Sequence, residues 1–137
     1  MYIRKHFKTI IMADHDESSL IVAKTSLDDI YNIFTVPSGK TLFLLLESVK
    51  PDLILLDIEM SDMDGYEIIN TLKRSEKTAN IPVILLFTKI DPGRGMNGMG
   101  MGAAGCLAKP LTGKLLVKQV EMHLQKKEIQ RKNNKDY

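Results

Sequence analysis

Strand-like and helix-like segments alternate along this chain, and no other feature restricts its fold so tightly. Thr9–Ala13, Asn32–Val36, Leu53–Leu56, Val83–Phe87 and Gly105–Ala108 are short, apolar or β-branched, and bounded by turn-forming or charged residues. Most are too continuously apolar to keep a wet face, which is how strands covered on both sides of a parallel sheet read. Between them, Glu17–Leu27, Lys40–Val49 and Gly65–Leu72 place apolar residues at i, i+3 and i+4, the period of an amphipathic helix. A last helix is expected from Gly113 to about Arg131, with Leu116, Val120 and Leu124 on one stripe and Thr112 as its N-cap. The pattern predicts an α/β doubly wound sheet with helices on both faces. Such sheets bind ligands beyond the carboxyl ends of their strands, where the strand order reverses. The residues to inspect are therefore Asp14, His15 and Asp16 after the first strand, Asp57 after the third, Phe87 and Thr88 after the fourth, and Lys109 after the fifth.

A chain of 137 residues is one domain's worth, and no internal repeat or Pro-rich break marks a second. The longest nearly uncharged apolar runs, Leu53–Leu56 and Ile81–Phe87, fall far short of the roughly 20 residues a membrane span needs. Thr9–Ala13 is too short for the apolar core of a secretory signal, so a cytoplasmic protein without membrane association is expected. Cys106 is the only cysteine; no internal disulfide can form, and its apolar surroundings read as those of a small buried residue. A net charge of +2 does not imply nucleic-acid binding. The charge is unevenly placed, however. Lys126–Tyr137 holds five bases against two acids, whereas Asp57–Glu67 holds five acids and no base. The basic end fits a linker helix or a solvated terminus, and the acidic run asks for a cation or some other reason.

Gly93–Gly102 departs from the alternation, with five glycines in ten residues. Each costs a helix about 1 kcal/mol relative to alanine, so a short helix with frayed ends, or a loop, is expected in place of a full helix. Met96, Met99 and Met101 could pack there as flexible filler. No Gly-x-Gly-x-x-Gly follows the first strand, where a dinucleotide site would need it.

Four pieces coincide at the strand ends. An acidic cluster follows the first strand (IIMADHDES), and Asp57 ends the third within PDLILLDIEMSDMDGYEII. A strand of the type IPVILLFTK comes next, and GAAGCLAKPL closes the fifth with Lys109. In motif order, spacing and length the chain resembles the receiver domain of response regulators over roughly residues 8–125. The resemblance implies a five-stranded parallel sheet in the order 2-1-3-4-5, the flavodoxin-like arrangement. It divides the chain into a receiver at 1–125 and a basic helical extension or linker at 126–137. It also implies that Asp57 takes a phosphoryl group from a histidine kinase or phosphotransfer protein. Asp14, Asp57 and the backbone of Glu59, with His15 or Asp16, would hold Mg2+ or Mn2+, while Lys109, with Thr88, would steady the phosphoryl oxygens. The output would be altered binding to a partner or a downstream output domain, with no turnover of an external substrate. The chemistry agrees: a carboxylate attacking a phosphoryl group approaches another anion, so positive charge must neutralise the crowding oxygens.

Three positions depart from the family pattern. Two consecutive acids are usual after the first strand, and here His15 stands where the direct metal-binding acid is expected. Imidazole is a poor ligand for magnesium and a good one for softer ions; His15 reads equally well as a loop histidine with no ligand role. The Thr or Ser usual in the fourth strand falls at Phe87, with the hydroxyl displaced to Thr88, and adjacent strand residues face opposite ways. The aromatic usual in the fifth strand is Cys106. These changes support an alternative, a degenerate receiver that binds partners without being phosphorylated. An aspartate-nucleophile phosphatase or a flavin-binding redox protein is a more distant alternative.

Overall fold

The computed structural model describes residues 3–88 and 99–135. Its elements run β1 (Thr9–Ala13), α1 (Glu17–Leu27), β2 (Asn32–Val36), α2 (Gly39–Leu46), β3 (Leu53–Asp57), α3 (Gly65–Arg74), β4 (Val83–Thr88), β5 (Gly105–Lys109) and α4 (Gly113–Lys135). The five strands form one parallel sheet in the order β2-β1-β3-β4-β5. The flavodoxin-like topology and all five expected strands are present, each within a residue of its expected end.

The continuous apolarity of the strands has a direct packing reason. Side chains alternate across a strand, and both faces of this sheet are covered. Ile10, Met12, Leu53, Leu55, Ile84, Leu86 and Leu107 pack with Ala23 and Leu27 of α1 and with Leu116, Val120 and Leu124 of α4. Their neighbours Ile11, Ala13, Ile54, Leu56, Val83 and Leu85 pack on the opposite face with Leu42 of α2 and Ile68, Ile69 and Leu72 of α3. Burying each such side chain is worth roughly 1.5–3 kcal/mol, so the two-sided core dominates the fold's stability.

The helices follow their caps. Asp16 begins α1, Ser38 begins α2 in a capping box with Thr41, and Asp64 begins α3. Thr112 accepts a long 3.4 Å hydrogen bond from Leu115 N at the start of α4, as expected of its N-cap. Helix α2 stops at Leu46, short of the expected Val49, because Ser48 and Val49 both turn back onto the Leu45 carbonyl just before Pro51. Helix α4 reaches Lys135, past the expected Arg131. Of the glycine-rich segment, residues 93–98 lie outside the described residues. Met99 and Gly100 are helical, and Gly102 takes a left-handed φ of 104° that favours glycine. Met99 and Met101 are 40% and 37% exposed, so they do not serve as core filler. Cys106 is half-buried against the α2–α3 side of the core, not fully buried. The Lys109–Pro110 peptide is cis.

Candidate functional site

β1 and β3 lie side by side, with Ala13 opposite Leu56. The next residue of each, Asp14 and Asp57, therefore emerges at the carboxyl edge of the sheet beside the other. Asp57 is the last residue of β3, paired with Leu86, and the chain turns sharply after it. Gly65 N donates to the Ile58 carbonyl at 2.9 Å. A Cβ on Gly65 would lie 2.5 Å from Ile58 Cα, so only glycine lets the loop return this closely. Across the sheet, Lys109 ends β5 opposite Thr88 of β4. The expected residues thus converge on one spot because of strand order.

Asp57 is nearly inaccessible, at 2% exposure, yet its carboxylate is fully engaged. Oδ1 accepts from Glu59 N at 3.0 Å. Oδ2 lies 2.7 Å from His15 Nδ1 and 3.4 Å from Lys109 Nζ. Asp14 is completely buried. Its Oδ1 accepts from Asp16 N at 2.9 Å and from Lys109 Nζ at 2.9 Å. Its Oδ2 lies 2.8 Å from the same ammonium but accepts no directed hydrogen bond among the described residues. The contact of Lys109 to Oδ2 is one of charge, and its directed bond goes to Oδ1. Burial pushes the Asp14 carboxyl up to about 6, with the charge of Asp57 adding to the rise; the Lys109 bond and the Asp16 N–H oppose it. Lys109 is the counter-ion of both carboxylates and lies at 10% side-chain exposure.

His15 and Asp16 separate cleanly. His15 reaches into the group, with Nδ1 also 3.8 Å from Asp14 Oδ1 and its ring half exposed. Asp16 turns away and caps α1: Oδ1 accepts from Ser18 N and Ser18 Oγ, and Oδ2 accepts from Ser19 Oγ at 3.0 Å. The Ser18 hydroxyl, with Ser19 and the Ser18 N–H, holds its carboxyl below the usual range. Thr88 and Phe87 face opposite ways, as strand alternation requires. Phe87 packs on the α2–α3 face. Thr88 lines a cavity of 420 Å3 with Asp16, Ser19, Val22, Lys109 and Leu111.

The acidic run has an explanation that sequence reasoning missed. Asp62 accepts from Gly39 N and Lys40 N at 3.0 and 2.9 Å, covering the first turn of α2, and Asp64 accepts from Tyr66 N in α3. Two of the five acids thus serve helix N-termini, whose unpaired N–H groups favour anions. The Asp64-Gly65 pair ahead of an apolar period was a readable signal for one cap. Nothing local points from Asp62 to a helix more than twenty residues earlier.

The ligand atoms of Asp14, His15 and Asp57 all lie within 4.8 Å of one another. Two carboxylates, one of them with a buried oxygen (Asp14 Oδ2) that accepts no hydrogen bond among the described residues, and an imidazole nitrogen make a donor set that fits a divalent cation.

The model of the response regulator receiver domain family matches residues 10–121. The chain is 37% identical over 119 residues to a probable cyclic di-GMP phosphodiesterase of Vibrio cholerae, covering 87% of this chain and 27% of that protein. It is 33% identical over 112 residues to the response regulator PleD of Caulobacter vibrioides, covering 81% and 25% respectively. Among solved structures, the signal receiver domain of a Syntrophus aciditrophicus signal transduction histidine kinase superposes with a TM-score of 0.77 at 28% identity, covering 86% of this chain and 90% of that one. This chain belongs to the response regulator receiver domain family, the phosphorelay modules of two-component signal transduction. It spans about a quarter of the length of the first two relatives. Among the described residues, no helix is long and apolar enough to cross a membrane.

Proposed function

We propose that Asp57 accepts a phosphoryl group from the phosphohistidine of a kinase or phosphotransfer protein, and that the resulting acyl phosphate changes what the domain binds. The observation that carries this reading is the carboxylate of Asp57, buried at the switch point with one oxygen 3.4 Å from Lys109 Nζ. In the transfer, a carboxylate oxygen of Asp57 forms the new O–P bond as the phosphorus–nitrogen bond of the donor breaks, and the donor imidazole leaves with its electron pair. Lys109 supplies fixed positive charge to the phosphoryl oxygens where it is most effective, in a site of low water content. Thr88, beside Lys109 on the β4–β5 ladder, offers the hydroxyl at the end of β4. Asp14, Asp57 and the Glu59 carbonyl, together with His15, would hold a divalent ion, Mg2+ or Mn2+, which adds the remaining charge neutralisation. Asp16, spent on capping α1, is left out of that set.

We place the receiver at 1–125 and read 126–137 as a helical extension or linker toward an output domain, within a cytoplasmic protein. Incubation with a small phosphodonor and a divalent ion, followed by intact-mass measurement, should show the gain of one phosphoryl group. Asp57→Asn should lose it; a gain that persists in Asp57→Ala would sink the assignment. The second reading, a receiver that binds without phosphorylation, draws on Phe87 filling the place of a hydroxyl. Beryllofluoride with the ion should shift amides around Asp57 if the site is competent and leave them unmoved if it is not.

A further inference from the structure

The loop after β1 offers two candidates for a second metal ligand, His15 and Asp16, and only His15 lies in the cluster of ligand atoms. Asp16 turns its carboxylate to Ser18 and Ser19 at the start of α1 and lies outside the cluster of ligand atoms formed by Asp14, His15 and Asp57. His15 Nδ1 instead points at the acceptor, 2.7 Å from Asp57 Oδ2, and sits 3.8 Å from Asp14 Oδ1. Ligands held at about 2.2 Å from one ion can stand up to about 4.4 Å apart. The triad's 4.8 Å envelope therefore needs only a small closing movement, which a half-exposed imidazole on a loop can make.

We propose that this acceptor site takes a first-row transition ion, Mn2+ or a later one, through His15 Nδ1 in preference to Mg2+. Magnesium asks for an octahedron of oxygens and gives up its water reluctantly. Replacing one inner carboxylate by imidazole removes both an oxygen and a negative charge from its shell. Ions that accept nitrogen lose less by the exchange than magnesium does, and their affinity for mixed N,O sites rises along the series from manganese to copper. The charge balance favours an ion as well. Asp14 and Asp57 against Lys109 sum to −1, so a bound divalent ion turns the site to +1. That sign attracts a phosphoryl dianion. An ion ligated by His15 would also end the His15–Asp57 hydrogen bond, since Nδ1 cannot both coordinate and donate, and would free Asp57 Oδ2 of the imidazole before phosphoryl transfer.

The proposal rests on the phosphoacceptor reading only for that last consequence; ion selection stands on the donor set alone. Pulsed electron paramagnetic resonance of Mn2+ bound to the full chain is the direct test. The bound ion should show nitrogen-14 modulation, and His15→Asp should abolish it while the chain stays folded by circular dichroism. Calorimetric titration should give Mn2+ and Zn2+ at least tenfold tighter than Mg2+, and His15→Asp should lower the Mn2+ to Mg2+ affinity ratio about tenfold. A manganese complex without nitrogen modulation, modulation retained in His15→Asp, or an unchanged affinity ratio would each overturn the assignment. The mass assay separates this from the acceptor reading. Phosphorylation of Asp57 with an all-oxygen ion site defeats the inference alone. Nitrogen-ligated manganese in a chain that never gains a phosphoryl group defeats the acceptor reading alone.

Discussion

At the scale of single residues, the site concentrates electrostatic cost in Asp14. Its carboxylate is fully buried, and burial outweighs the help of Lys109, leaving its pKa at about 6. A carboxyl whose folded pKa exceeds its unfolded value binds its proton more tightly when folded. Its effect on stability therefore turns unfavourable as pH rises from about 4 to about 6 and is complete above that window. Asp14→Asn, neutral at every pH, should stabilise the ion-free protein at pH 8 by roughly 2–3 kcal/mol. The gain should shrink toward zero near pH 4. Urea melts of both proteins in the presence of a chelator check this, and an advantage that is constant with pH would mean that another group carries the effect. The same residue shows what the sequence could and could not reveal. Asp14, Asp57 and Lys109 were legible because a parallel sheet brings strand ends together whatever lies between them. The division of labour between His15 and Asp16 was not. It depends on which side chain reaches the Ser18 and Ser19 hydroxyls, a matter of loop geometry that adjacent residues of similar polarity do not encode.

At the scale of elements, the β3–α3 connection aims Asp57, the proposed acceptor, and its weak point is Gly65. The Ile58 backbone crowds the place where a Cβ would sit, at 2.5–2.9 Å, and backbone moves less readily than a side-chain tip. Gly65→Ala should cost about 1–3 kcal/mol, the usual range for forcing a group into filled space. It should also disturb the Glu59 N–H bond to Asp57 Oδ1, slowing phosphorylation beyond what lost stability explains. Thermal melts and a phosphorylation time course below the melting range separate the two effects; a fully stable, normally reactive variant would show that the loop relaxes freely. Helix periods located α1, α2, α3 and α4, and deviations arose only at their ends. The end of α2 is set by a tightened last turn, which apolar spacing does not report. The cap supplied by Asp62 crosses from one connection to another, and a contact of that range leaves no trace in local pattern.

At the scale of the molecule, two packed faces make a single cooperative unit, and the question is where that unit ends. The last residue of α4 within the core is Leu124; from Gln125 onward the helix is mostly exposed. What lies beyond contributes little. Lys8 and Glu128 pair at 3.0 Å with about 40% of each side chain exposed, and ion pairs of this kind are worth about 0–1 kcal/mol. Lys127, Gln130, Arg131 and Asn134 stand over an open cavity of 590 Å3, facing Lys50, Asp52 and Lys77 across it without close packing. Burial holds the Lys127 pKa below its ordinary value, and the nearby Lys8, Arg131 and Lys50 add to the effect against the pull of Asp52. Its charge is therefore disfavoured in the folded state, and deleting it removes a liability. Ending the chain after Gln125 should thus shift stability by no more than about 1 kcal/mol and leave the urea dependence of unfolding nearly unchanged, because little apolar surface is lost. Amides from 126 to 135 in the full chain should exchange hydrogen much faster than those of β1 and β3. A loss above about 2 kcal/mol on truncation, or protection of those amides matching the central strands, would place the basic end inside the folding unit and move the domain boundary to the end of α4.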